Sequence, residues 1–383
     1  MNASLNQRSN REMEGEQENL PKLFNFCQEA GKIEITIMRE KIRTGIIGLG
    51  KMGILHSALI NMIPQAELVS VHDTDKQLSK YVQKSGMDVV FYSKLEEMLE
   101  KEVLDAVFVC TPPFTHLPIA EECVKRKLNV FVEKPLAESC LSAKKMLSLV
   151  ETVDIVHATG FILAHIPLYK KAKDMLVKGV LGNVHRFNIS VYFSQVLSRK
   201  KGWFYDKSKS GGGVVIDIAS HLIYLVTWYF GLPQKVYART LNFYSDVEDC
   251  GSIMLEYKNG LIGVLDANWS IPGYRLATIG IIIEGEKGFM EITNDYIKLY
   301  LLQSVGDFKQ GWTNIHKIDL GSTSHFDLGS EGFSDEDKHF IQCCLTKEKP
   351  SVSWKEGLDV QKIIEAVYQS SEERNPIELD SVC

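Results

Sequence analysis

The stretch Ile46-Ile47-Gly48-Leu49-Gly50-Lys51-Met52-Gly53 decides the fold. It sets an apolar run, begun at Ile42, directly against a G-x-G-x-x-G turn. Gly48 permits the tight turn, Gly50 lets backbone approach a pyrophosphate, and Gly53 lets the next helix pack closely on the strand. That helix opens at Lys51 and Met52, where free N–H groups and a partial positive charge face the phosphates. Leu55, Leu59, Ile60 and Ile63 recur at helical spacing, and Pro64 ends the segment. Ala66 to Val71 then read as a second strand, which delivers His72 and Asp73. Asp73 lies about twenty residues past Gly53, where a carboxylate accepts hydrogen bonds from an adenosine ribose. Read alone, it is also consistent with a solvated acid at a strand end. An acid there repels a 2′-phosphate, and neither Thr74 nor Asp75 compensates, so NAD is favoured over NADP.

A chain of 383 residues is too long for one ordinary core and fits two domains. Hydrophobic content of 45% with 24% charged residues is that of a globular protein, and a net charge of −6 argues against a large nucleic-acid footprint. The eight cysteines are scattered, with no C-x-x-C pair and no Cys/His cluster at zinc spacing, so no metal site is expected. This pattern suits a reducing cytoplasm. No apolar run reaches the length of a membrane span, and the polar N-terminus lacks the apolar centre of a signal peptide. Residues 1–38 read as a polar, disordered extension, with Met38 a candidate translation start.

From Ile42 strand and helix signals alternate, as a doubly wound parallel sheet requires. Leu104 to Cys110 is nearly all apolar, the mark of a strand buried on both faces. Thr111-Pro112-Pro113 stops it, with His116 soon after, where open α/β sheets bind ligands. A strand at Asn129 to Val132 leads into Glu133-Lys134-Pro135, and one at Asp154 to Ala158 completes the sheet. The rhythm changes at Gly160, which puts the nucleotide-binding domain at 39–160 and a second domain at 161–383. Short strands from Val184 to Leu302, with a hairpin turn at Lys258-Asn259-Gly260, imply one large, mostly antiparallel open sheet. Its spare face is expected to make a homodimer or homotetramer interface. Late helices are expected at Phe333 to Leu345 and Leu358 to Ser370, the second returning toward the first domain.

Three constellations can carry chemistry. After Gly211-Gly212-Gly213, Asp217 and His221 stand four apart at the start of a helix and share a face. An imidazole beside a carboxylate makes a proton-transfer pair, although the same spacing also makes a surface ion pair or a cap. Lys134 can donate to a substrate hydroxyl, or be a solvated lysine at a strand end; a cis bond before Pro135 would hold it in place. Thr111, Pro112 and His116 can contact the dinucleotide. Trp203, Phe204 and Tyr205 can line a sugar face or belong to the core.

In this order, Gly48-x-Gly50-x-x-Gly53, Asp73, Thr111-Pro112-Pro113 with His116, Glu133-Lys134-Pro135 and Gly211-Gly212-Gly213 with Asp217-x-x-x-His221 resemble the glucose-fructose oxidoreductase and inositol dehydrogenase family (Gfo/Idh/MocA). The resemblance runs from Ile42 to the end of the chain. It implies a Rossmann domain joined to an α/β domain with an open sheet, bound NAD or NADP, and oxidation or reduction of a sugar, cyclitol or nucleotide-sugar hydroxyl. By the same resemblance His221 is the general base, Asp217 orients or shares its proton, and Lys134 bonds the reacting oxygen. Glu133 joins the cofactor contacts. The family also contains NAD-dependent glycosidases and non-catalytic sensors, which are the competing readings. Gly160-Phe161-Ile162-Leu163-Ala164-His165 departs from the family pattern, which carries Arg or Asn there, and leaves His165 as a substitute donor.

Overall fold

The structure is a computed structural model that describes residues 41–199, 201–321 and 331–383. The expectations for residues 1–38 lie outside the described residues. Six strands, β1 (Ile42–Ile47), β2 (Ala66–His72), β3 (Val90–Tyr92), β4 (Ala106–Val109), β5 (Asn129–Glu133) and β6 (His157–Gly160), form one parallel sheet in the order β3-β2-β1-β4-β5-β6. Helices α1 (Lys51–Ile60), α2 (Leu78–Lys84), α3 (Leu95–Lys101), α4 (His116–Lys125) and α5 (Cys140–Val150) connect them. Every residue of β4 is buried, because helices cover both faces. The strand order reverses between β1 and β4, so a crevice opens beyond their carboxyl ends, at Gly48 and Thr111.

The remaining strands make a second sheet of nine, in the order β14-β13-β12-β11-β7-β10-β9-β8-β15. Its strands are β7 (Val184–Tyr192), β8 (Lys235–Leu241), β9 (Cys250–Glu256), β10 (Ile262–Asn268), β11 (Thr278–Gly285), β12 (Gly288–Ile292), β13 (Tyr296–Leu301), β14 (Gly311–His316) and β15 (Ile377–Glu378). Only β7 and β10 pair in parallel; the other neighbours are antiparallel. The Lys258-Asn259-Gly260 turn joins β9 to β10, with Gly260 at a φ of +85°. Along β9 buried and outward residues alternate, so one face of the sheet holds the core and the other faces out.

Helix α6 (Pro167–Val177) follows the parallel sheet, and α7 (Ser220–Phe230) lies in the core of the second. A single turn at Lys207–Ser210, closed by Gly211 at a φ of +85°, and a π turn at Val215–Ala219 precede α7; the run 207–230 matches a membrane span by length and composition alone. Most of that run is buried inside the protein. The late helices are α8 (Phe333–Thr346) and α9 (Trp354–Glu373), the latter opened by a Ser353/Glu356 capping box. At its start, Trp354 Nε1 donates to the Ala158 carbonyl of β6 at 3.1 Å; near its end, Ser370 Oγ accepts from Ala238 N–H of β8 at 2.9 Å.

The strand expected at Asp154 to Ala158 begins only at His157. Two edge strands, β14 and β15, carried no clear signal. Cys140 and Cys383 are joined by a disulfide with Cα atoms 6.1 Å apart, a pairing that scattered spacing does not reveal. Their 243-residue separation is why.

Candidate active site

A cavity of about 730 Å³ lies at the switch point and continues between the two sheets. Its nucleotide end is built by the glycine turn. Gly48 holds a φ of +95°, and a Cβ there would meet the Cys110 carbonyl oxygen at 2.9 Å. A Cβ on Gly53 would lie 1.7 Å from the Gly48 oxygen, so Gly53 acts by packing α1 onto β1 and does not itself line the cavity. Gly50 differs: a Cβ there meets nothing within 4 Å, and the residue caps α1 without a side chain. Backbone is left bare where a pyrophosphate would approach the N–H groups of Lys51 and Met52. Asp73 also lines the cavity, its carboxylate accepting from Leu49 N–H at 2.8 Å and Asp75 N–H at 2.9 Å. These residues fit a dinucleotide with a free 2′-hydroxyl.

Thr111 and Pro112 line the wall at the end of β4, but His116 does not reach it. His116 is fully buried behind the wall, with Nε2 2.8 Å from the Thr111 oxygen and Nδ1 3.1 Å from the Pro135 oxygen. Burial pushes its pKa down, so the ring is neutral and has one N–H to give. It ties the Thr111 loop to the Lys134-Pro135 turn, which corrects its expected place among the cofactor contacts. The Lys134-Pro135 bond is cis.

At the other end, Lys134 Nζ donates to Asp217 Oδ1 at 2.6 Å and to the Asp217 backbone oxygen at 2.9 Å. The two side chains are 18% and 21% exposed and both line the cavity. Asp217 sits in the π turn, whose wider radius rotates it away from the simple i, i+4 face. Its carboxylate is therefore spent on Lys134 rather than on His221. His221 lines the cavity, half-buried, with its Nδ1 shielded from solvent and without a partner among the described residues. Burial, and then the Lys134 charge, push its pKa well below the usual value, so the imidazole is neutral and can accept a proton. The Phe161 ring packs against it in a T-shaped arrangement, with centroids 5.8 Å apart. Trp203 and Phe204 line the same end, Tyr205 does not, and His165 is buried against His339 with its pKa lowered to about 3. His165 is therefore no substitute donor to the cavity.

Two supports escaped the sequence reading. Glu248 is 4% exposed; its Oε1 accepts from Gly213 N–H at 2.8 Å, Val215 N–H at 3.0 Å and Tyr368 OH at 2.9 Å, capping the helical run that carries Asp217 and His221. His56 of α1 is fully buried and bonds both Glu133 and Asp337. A histidine on an otherwise apolar helix face was the available signal.

A parallel sheet with a glycine turn and an acid at the end of its second strand, opening onto a lysine and a neutral histidine, defines a nicotinamide-dependent oxidoreductase. The family model for an oxidoreductase family with an NAD-binding Rossmann fold matches residues 42–161, and the one for the GFO/IDH/MocA C-terminal domain matches 169–291. The chain belongs to the Gfo/Idh/MocA family of NAD-binding oxidoreductases. It is 26% identical over 355 residues to the myo-inositol 2-dehydrogenase of Thermotoga maritima, covering 89% of this chain and 99% of that one. It is 24% identical to the scyllo-inositol 2-dehydrogenase (NAD(+)) of Bacillus subtilis, covering 90% and 98%. Its fold matches a levoglucosan dehydrogenase solved with NADH and levoglucosan, with a TM-score of 0.80, 21% identity and coverage of 88% and 99%.

Proposed function

We propose that the protein is an NAD-dependent dehydrogenase of an uncharged polyol, a sugar or cyclitol. The observation that carries this is Lys134, aimed by Asp217 at 2.6 Å, sharing one cavity with the neutral His221. When bound, the nicotinamide supplies the hydride acceptor. Lys134 donates to the reacting oxygen and stabilises the charge that develops there as its proton leaves. His221 takes that proton, and returns it in the reverse direction. Asp217 fixes the direction of the lysine rather than sharing the histidine's proton. Trp203 and Phe204 offer flat apolar faces to sugar C–H groups.

Among the described residues the cavity's lysines are Lys51, at the nucleotide end, and Lys134, already paired. Among the described residues that line the cavity, a phosphate or sugar acid would find no spare cation beside His221, which favours a neutral substrate over a nucleotide sugar. The inositol dehydrogenases among its relatives support the same class. The test is absorbance of reduced nicotinamide for purified protein given NAD or NADP with neutral, phosphorylated and nucleotide-linked sugars and cyclitols. Reduction with a neutral polyol, lost in His221→Ala, is expected. Silence across the panel with NAD bound would favour the glycosidase or sensor reading.

We place the enzyme in a homodimer or homotetramer and in the cytoplasm, whose thiol pool would hold the Cys140–Cys383 pair reduced. Outward residues Met254, Ile262, Ile282 and Trp312 on the nine-stranded sheet, each more than 40% exposed, support an interface there. Light scattering after gel filtration tests it, and a monomer at micromolar concentration overturns it.

A further inference from the structure

His56 lies on α1, the helix whose start would receive the dinucleotide, yet it is fully buried, does not line the cavity and bonds two carboxylates. Its Nδ1 is 2.8 and 3.0 Å from the two oxygens of Asp337, and its Nε2 is 3.0 Å from Glu133 Oε1. A neutral imidazole has one N–H and one lone pair, so it would point a lone pair at one of these carboxylates. With both carboxylates ionised, both contacts are attractive only when both nitrogens carry protons. Around the ring are Phe108, Phe131 and Phe333, with centroids 5.5, 5.3 and 6.1 Å away. These rings and the two acids enclose the imidazole, so the charges hold one another.

The other oxygen of Glu133, Oε2, accepts from the backbone N–H of Lys134 at 2.9 Å. Asp337 lies in the first turn and a half of α8, which begins at the cavity-lining Phe333. Three elements that frame the cavity therefore meet at one ring: the nucleotide helix, the lysine turn and the start of α8. We propose that His56, as an imidazolium clamped between Asp337 and Glu133, is a positioning residue that couples the seating of the dinucleotide on α1 to the placement of Lys134. Resting on the role given to Lys134 above, it adds a link that the cavity residues alone do not contain.

Two further groups face this cluster. Glu336, next to Asp337 on α8, is 2% exposed with neither oxygen partnered among the described residues, and burial raises its pKa well above the usual range, keeping it neutral. The Cys110 thiol is likewise held protonated by burial and by these carboxylates. Burial lowers the His56 pKa, but Asp337 and then Glu133 outweigh it and hold the ring well above its usual value, while burial raises the Asp337 carboxyl against the pull of the ring.

The test compares Asp337→Asn with the parent holoenzyme in NADH affinity, kcat, KM and their pH dependence. Without the Asp337 charge the His56 proton is lost at lower pH, so the alkaline limb of kcat is expected to move down by at least one pH unit. NADH affinity should weaken severalfold at high pH, with KM for the polyol little changed. If Asp337→Asn lowers only the melting temperature and leaves the alkaline limb in place, the cluster is structural and the proposal fails. Should the variant not fold, side-chain nitrogen resonances of histidine-labelled parent protein decide: both His56 nitrogens protonated at pH 8 supports the clamp, and a neutral tautomer there overturns it. Lys134→Met separates the two readings. Activity surviving in Lys134→Met refutes the role of the lysine, whereas an inactive Lys134→Met beside an unmoved alkaline limb refutes the clamp alone.

Discussion

Lys134→Met keeps the length of the side chain and removes its ammonium, and two losses follow that can be measured separately. Asp217, at 21% side-chain exposure, loses its 2.6 Å partner. A hydrogen bond to a charged group is worth about 1.5–3 kcal/mol, and the exposed fifth of the carboxylate draws the cost toward the lower end. A destabilisation of about 1–2 kcal/mol is expected, seen as a drop of a few degrees in melting temperature. The reacting oxygen loses its donor at the same time. Removing one preorganised donor costs about 10²–10³ in kcat, or roughly 2.7–4 kcal/mol. The double variant Lys134→Met/Asp217→Asn removes the stranded charge, so most of the stability should return while kcat/KM stays depressed. Thermal unfolding and the rate of nicotinamide reduction read the two effects in one preparation. Activity within threefold of the parent in Lys134→Met, or recovered in the double variant, would refute the reasoning.

Gly50→Ala adds a methyl to open space at the nucleotide end; it is expected to preserve the melting temperature and to weaken NADH binding at least tenfold. Gly53→Ala drives a methyl into the Gly48 carbonyl and should lose both, by about 1–3 kcal/mol in stability, as fluorescence titration and melting will report. Burial lowers the His157 pKa to about 4. The unfolded chain takes up that proton near pH 6.5 and the folded one only near 4, so this contribution is present above 6.5 and lost as pH falls. Over 2.5 units the loss is about 3 kcal/mol, and His157→Gln should flatten the urea midpoint against pH by nearly one proton in that window. Reduction of the Cys140–Cys383 bond reopens a 243-residue separation and should lower the melting temperature. Alkylation followed by mass analysis should find two more reactive thiols after reduction than before it.

Much of the nucleotide half is legible because its signals are local. The turn from Gly48 to Gly53 and the apolar run before Thr111 each specify a conformation from a handful of neighbours. Strand β14 is illegible for the opposite reason: at a sheet edge only one partner covers it, and Trp312 faces outward where a core residue would be sought. The site was read as residues but not as contacts. Asp217 and His221 look like an i, i+4 pair, yet a π turn sends the carboxylate to a lysine 83 positions away. His56 has partners 77 and 281 positions distant, and no window of sequence contains them.

Helix α9 is bonded at one end to β6, which closes the parallel sheet, and at the other to β8 in the second. From Gly160 to Trp354 the chain runs on by 354 − 160 = 194 residues, which a ribosome adds in roughly 10–40 s at about 5–20 residues per second. Through that interval the nascent parallel sheet has every strand it needs but lacks the Trp354 that seals its last edge. Maturation is therefore gated by translation, and a chain stalled before residue 354 would be a client for chaperones rather than a half-active enzyme.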